Sequence, residues 1–161
     1  MPQSLAYRAL IDLLFTFADS SSLDVLNDVL LTTPNPELRD FLVAHVQQSA
    51  ATAFAAGFRP ALQALAKHDS PPLQRAVLPV LLAVTSGSEA KQAIIAPFLN
   101  NQDNFTRAAA CGLAAQAGLT SLADQISVLV SPPKSDAERV ACCRALQVLG
   151  VKDSCPGINQ Q

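Results

Sequence analysis

Arg75-Ala76-Val77-Leu78, Arg107-Ala108-Ala109-Ala110-Cys111 and Arg139-Val140-Ala141-Cys142-Cys143 are three versions of one phrase, and their arginines, at positions 75, 107 and 139, are evenly spaced with a period of 32. A glycine follows each version at a similar offset (Gly87, Gly118, Gly150). Turn-forming residues precede each one: Ser70-Pro71-Pro72, Asn100-Asn101-Gln102-Asp103 and Ser131-Pro132-Pro133. Self-similarity at a fixed period of this length is the signature of stacked supersecondary units, each too small to bury its apolar face alone. The stretch from Ser70 to Val151 therefore sets the architecture, and the rest of the chain is read against it.

Towards the N-terminus the phrase weakens. Arg39 opens a version with Phe41, Leu42, His45 and Val46, and Arg8 stands nearly one period before it. Residues 4–18 carry Leu10, Leu13, Leu14 and Phe17 at the i, i+3, i+4, i+7 spacing of an amphipathic helix with that stripe turned inward. Asp19-Ser20-Ser21-Ser22 breaks the run and caps a second helix lined by Leu23, Leu26, Val29 and Leu30. Pro36 suits the first turn of the next helix, where its missing N–H is not needed. The step from Arg39 to Arg75 is 36, and the surplus falls in the alanine-rich stretch 47–58, read as a junction around Gly57. Helices follow over 59–67, 74–84 with Pro79 inside, 89–99, 105–117 and 121–130. A final one starts at Ser135-Asp136-Ala137-Glu138, a capping box, and stops at Gly150, a glycine placed to end a helix with positive φ.

These hairpins resemble HEAT-type repeats. The residues that carry the likeness are Asp103 to Gly118 and Ser135 to Gly150, then Pro71 to Gly87 and Pro36 to Val46. A period of 32 is shorter than the usual HEAT length of about 40, so an armadillo-like array stands beside it. The resemblance implies an all-α fold, a right-handed α-solenoid of about four and a half helical-hairpin repeats over residues 1–151, with second helices lining a concave surface; residues 152–161, with Pro156, Gly157 and Gln160-Gln161, read as a short flexible tail.

Composition narrows the function classes. Half of the 161 residues are hydrophobic and 15% are charged, so the chain can bury a core without metals or disulfides. A net charge of −2 with no tryptophan and one tyrosine disfavours nucleic acid as a partner, and with it a likeness to DNA alkylation-repeat glycosylases. The longest apolar run, Ala76 to Val84, has nine residues, well below the ~20 of a membrane span. No secretory leader is legible before Asp12. Cys111, Cys142, Cys143 and Cys155 form no CxxC pattern and read as reduced thiols serving as small apolar residues in a cytoplasmic protein. The other reading gives Cys142, Cys143 or Cys155 a redox or ligand-attaching role.

No P-loop, GxGxxG, GxSxG or HExxH occurs, so catalytic, cofactor-binding and metal positions are all expected to be none. His45 and His68 read as solvated or core residues. The five arginines of the repeated phrase (Arg8, Arg39, Arg75, Arg107 and Arg139) read as structural, bonding turn carbonyls or acids such as Glu37, Asp103 and Asp136. The expected role is a non-catalytic protein-interaction or adaptor module without a cofactor. Its partner would be another protein or peptide, bound on the polar residues of the second helices: Asp24, Asn27, Asp28, Gln63, Lys67, Lys91, Gln92, Asp124 and Gln125. Against this stands the plain alternative that any amphipathic helix has such a solvated face. Self-association through the open C-terminal repeat is a further expectation. A second functional class is a bilin-lyase-like or chaperone-like assembly factor, since HEAT-repeat bilin lyases are also short helical arrays.

Overall fold

In the computed structural model, which describes residues 2–131, 135–151 and 155, helix is the only regular secondary structure. The chain divides into two compact units, Met1–Thr85 and Ser86–Gln161. None of the described helices is long and apolar enough to cross a membrane.

Unit 1 contains α1 (Pro2–Phe17), α2 (Ser20–Thr32), α3 (Pro36–Gln48), α4 (Ala53–Ala56), α5 (Arg59–Ala66) and α6 (Pro71–Ala83). The starts of α2, α3 and α4 follow from side-chain oxygens that accept the first N–H groups a helix leaves unbonded, whereas α5 and α6 have a proline in the first turn and no side-chain cap. Asp19 accepts from the Ser22 N–H at 2.7 Å, Asn35 from Glu37 at 3.0 Å, and Thr52 from Ala55 at 3.1 Å. The Ser22 backbone bond, followed by its hydroxyl, holds the Asp19 carboxyl below the usual carboxylate range. A depressed folded-state value means that the cap is fully present above about pH 4 and is lost as acid carries the pH below it. Asp19→Asn should therefore flatten part of the fall in urea midpoint between pH 5 and pH 3. An unchanged acid profile would place that sensitivity elsewhere.

The core of unit 1 is built from Leu26, Leu30, Leu42, Val46, Phe58, Leu62, Val77, Leu78 and Leu81, all at or below 1% exposure. α6 continues through Pro79 to Ala83. The surplus before Arg75 is α4, a single turn between α3 and α5. Gly57 follows it at φ −66°, an ordinary right-handed conformation, so glycine is there for space. A Cβ would lie 2.3 Å from Leu23 Cδ2 and 3.1 Å from the Phe54 carbonyl oxygen. Asn27, one turn after Leu23, donates from Nδ2 to the Gly57 carbonyl at 3.3 Å. The two α2 side chains thus grip one glycine.

The inward stripe expected of α1 is reversed. Ile11 is buried and Leu14 and Phe15 are half-buried, whereas Leu10, Leu13 and Phe17 are 50%, 50% and 66% exposed. The reason is what α1 finds on α3 and the α4–α5 corner. Phe15 packs on His45, Phe54 and Phe58 with ring centroids 5.3–5.6 Å apart. The Arg8 guanidinium lies 5.2 Å from the Phe41 ring centre, and Asp12 Oδ1 is 2.7 Å from His45 Nε2. The Phe15 anchor and the partners of Arg8 and Asp12 set the facing of α1 at the expense of Leu10, Leu13 and Phe17. Ala18, which closes α1, holds φ +49°, the left-handed region that a Cβ disfavours. Ala18→Gly should raise stability by up to ~1 kcal/mol, read from the urea midpoint. A loss of stability would show that the larger chain entropy of glycine outweighs the relieved strain.

Unit 2 contains α7 (Ser88–Ile95), a 3-10 turn (Ala96–Asn100), α8 (Asn104–Gln116), a second 3-10 turn (Thr120–Leu122), α9 (Ala123–Val130) and α10 (Asp136–Val148). Pro97 sits in the first 3-10 turn, where a missing N–H ends the α-type ladder of α7. Gly118 and Gly150 close α8 and α10 alike, at φ +65° and +88°. The N–H after each bonds back five residues at 2.9 Å, Leu119 to Ala114 and Val151 to Leu146. This is the Schellman arrangement, with the positive φ expected of Gly150. The turn Pro132–Pro133 and the tail expected over 152–161 lie outside the described residues, apart from Cys155.

Candidate functional site

α8 and α10 meet along rungs of constant offset 31. At one rung the buried Arg107 donates from Nε and Nη2 to the two carboxylate oxygens of Glu138, and one turn later Cys111 is bonded to Cys142. Arg107 Nη1 also donates to the carbonyls of Asn101 at 2.6 Å and Gln102 at 2.9 Å, fastening the turn before α8. The Glu138 hydrogen bond raises the Arg107 guanidinium above its ordinary value, against the opposing effect of burial. Both residues are at or below 2% exposure, so the pair is held in a low dielectric with a fork-to-fork geometry.

Two expectations are corrected here. The capping box at Ser135 is only half made: Ser135 accepts from the Glu138 N–H at 3.2 Å, but the Glu138 carboxylate is taken by Arg107. The cysteines are paired and not reduced thiols, with Cys111 bonded to Cys142 and Cys143 bonded to Cys155. Adjacent positions on a helix point about 100° apart, so Cys142 reaches α8 while Cys143 reaches the chain beyond Gly150.

Beside this clamp the two helices leave an open groove of about 350 Å³. Its walls are Gly112, Ala115 and Gln116 from α8, and Ala141, Arg144, Ala145 and Val148 from α10. Small residues keep it wide, Val148 (71% exposed) gives an apolar lip, and Arg144 places a cation on the wall. Gly112 has a right-handed helical neighbourhood and nothing within 4 Å of where a Cβ would stand, so neither backbone conformation nor packing inside the chain calls for glycine. Gly112→Ala should raise stability by ~0.5–1 kcal/mol through helix propensity, measured by urea unfolding. A destabilised variant would mean that the position is crowded.

No protein-family model, curated protein or solved structure matches this chain. The site is therefore read from its own geometry.

The nine polar positions fall in both units. In unit 1, Asp24, Asp28, Gln63 and Lys67 are exposed, while Asn27 is spent on Gly57. In unit 2, Asp124 and Gln125 are exposed, Lys91 is half-buried, and Gln92 accepts from the Ser121 hydroxyl at 2.7 Å. Asn27 and Gln92 thus have structural work; of the other seven, six are exposed and Lys91 is half-buried. The arginines are structural where their contacts are seen. Arg8 covers Phe41, Arg39 bonds the Thr33 carbonyl at 2.5 Å, and Arg107 bonds Asn101, in the last two cases six residues back. The acid that Arg107 takes is Glu138; Asp103 instead caps α8 through Thr106. Arg139 lies 3.6 Å from Asp136, and its buried Nε has no partner among the described residues. His45 places Nδ1 3.1 Å from the Phe41 carbonyl and Nε2 on Asp12. Among the described residues no three His, Cys, Asp or Glu side chains gather as a metal site.

Sequence reasoning missed the groove and its clamp. A signal was present: Arg107 and Cys111, and again Glu138 and Cys142, stand four apart on their helices, so one shared offset brings both pairs together.

Proposed function

We propose that the chain is a non-catalytic interaction module of HEAT-like helical repeats that holds a polypeptide segment in the groove between α8 and α10. The observation that carries this reading is an apolar groove, floored by small residues including a mid-helix glycine that nothing inside the chain requires, with Arg144 on its wall. Helix-in-groove recognition uses apolar anchors at i, i+3 and i+4 laid into such a channel, and Arg144 selects segments with an aspartate or glutamate beside those anchors. The clamp of Arg107, Glu138 and the Cys111–Cys142 bond keeps the walls pre-organised, which lowers the cost of binding. The repeat reading draws support from the matched Schellman ends of α8 and α10, and from Arg39 and Arg107 each bonding a carbonyl six residues back. The solenoid and its concave polar face remain part of this proposal. With all four cysteines paired, an oxidising compartment suits the chain better than the cytoplasm that reduced thiols would suggest.

The test is selection from a random phage-displayed peptide library, followed by fluorescence anisotropy of the enriched peptides. Acid-bearing amphipathic peptides should be enriched, and Gly112→Leu, which fills the groove, should abolish their binding. Peptides insensitive to Gly112→Leu but lost when Asp24, Asp28, Lys67 and Lys91 are reversed in charge would move the site to the polar face. A library that yields nothing would overturn the module itself.

A further inference from the structure

We infer that the outer face of α1 pairs with the same face of a second copy of this chain, forming an antiparallel, two-fold dimer. Ala6, Leu10, Leu13 and Phe17 recur at spacings of four, three and four, so they form one stripe along the helix. All four are exposed, and Leu5 and Tyr7 flank them at 68% and 55% exposure. Taking ~200 Å² for a large side chain, this is roughly 500 Å² of apolar surface on one helix, in the range that marks interaction sites on single chains. Two such faces brought together hide about 1,000 Å², the size at which a specific interface begins.

Three features select a second copy as the occupant. The spacing is symmetric about the midpoint between residues 11 and 12, so an antiparallel partner sets Leu10 against Leu13 of the second copy, and Leu13 against its Leu10. The same register sets Phe17 against Ala6 of the second copy, large facing small at each end. Finally, the stripe carries no charge. Arg8 and Asp12 are turned to Phe41 and His45, so the face meets itself without like-charge repulsion and offers an unlike partner no charge to select.

The test is sedimentation equilibrium of the full, unreduced chain. A concentration-dependent mass rising to twice 16.9 kDa is expected. Leu10→Glu should weaken the dimer by ~100-fold or more, since one substitution strikes both symmetric contacts. Adding Leu13→Lys to it should win back ~10-fold, because each new acid then faces a new base across the two-fold axis. Leu10 and Leu13 are half exposed, so far-UV ellipticity and thermal midpoint should stay close to those of the parent chain. Three outcomes would overturn the inference: a parent chain that stays monomeric at 100 μM, a dimer indifferent to Leu10→Glu, or a double variant no better than the single one. Sedimentation of a monomer with phosphatidylcholine vesicles would assign the stripe to a lipid surface and would equally overturn it. None of these results bears on the α8–α10 groove, whose own test is peptide binding.

Discussion

Arg107→Met should lower the stability of unit 2 by ~3–5 kcal/mol, because it leaves the Glu138 carboxylate buried without its cation. Glu138→Leu should cost a similar amount by stranding the guanidinium. The pair replaced together, Arg107→Met with Glu138→Leu, should lose only about 1–3 kcal/mol, far less than the two single losses added, since two well-packed apolar side chains can substitute for a buried ion pair. What remains is the loss of the Arg107 donors to the Asn101 and Gln102 carbonyls, a cost of ~1–3 kcal/mol where those groups stay dry. Urea unfolding of the four proteins measures the coupling directly, and strict additivity would show that the two residues do not act as a pair. The pH dependence follows from sign. A guanidinium raised above its ordinary value contributes fully below the arginine range and is lost only above it, so the arginine side of the clamp should hold its contribution as the pH rises to about 9.

Loss of the Cys111–Cys142 bond ranks second. The bonded residues are 31 apart in sequence, and the chain-entropy relation for a closed loop of that length gives ~3–4 kcal/mol. Cys111→Ala with Cys142→Ala should lower the urea midpoint accordingly. Dithiothreitol should produce a larger fall in the parent chain, because it also opens Cys143–Cys155. Alkylation of the unreduced protein followed by mass spectrometry supplies the check, with no thiol expected to react. Four alkylated cysteines, together with a midpoint blind to reductant, would remove both bonds from the account.

The helices and their ends were legible because they are set by local chemistry. Asp19, Asn35 and Asp103 each accept from N–H groups two or three residues on, and Gly118 and Gly150 hold positive φ. The facing of α1 was not legible. Leu10, Ile11, Leu13, Leu14, Phe15 and Phe17 wrap apolar surface most of the way round, so periodicity alone could not pick a side. Phe15 made the choice, through partners Phe54 and Phe58 that lie beyond α2 and α3 in the chain. Glu138 misled for a related reason: its position satisfies a local capping rule, yet a buried arginine on a different helix competes for the same carboxylate and offers a stronger bond. The cysteines spelled no motif because their pairing depends on the register between two helices. Of the nine polar positions six are exposed, and amphipathicity accounts for exposure but says nothing of binding.

Two cross-links one helical turn apart also restrict how unit 2 can move. Sliding α10 along α8 by a turn would need a shift of about 5.4 Å, which the covalent rung at Cys111 and the ionic rung at Arg107 both forbid. The pair must travel as one beam. Flexing is left to the segments outside it, the 3-10 turns at Ala96–Asn100 and Thr120–Leu122, where the helical ladder is already interrupted. Reducing agent would then act as more than a destabiliser: it would remove the covalent rung and leave the ion pair at Arg107 alone to resist that shear.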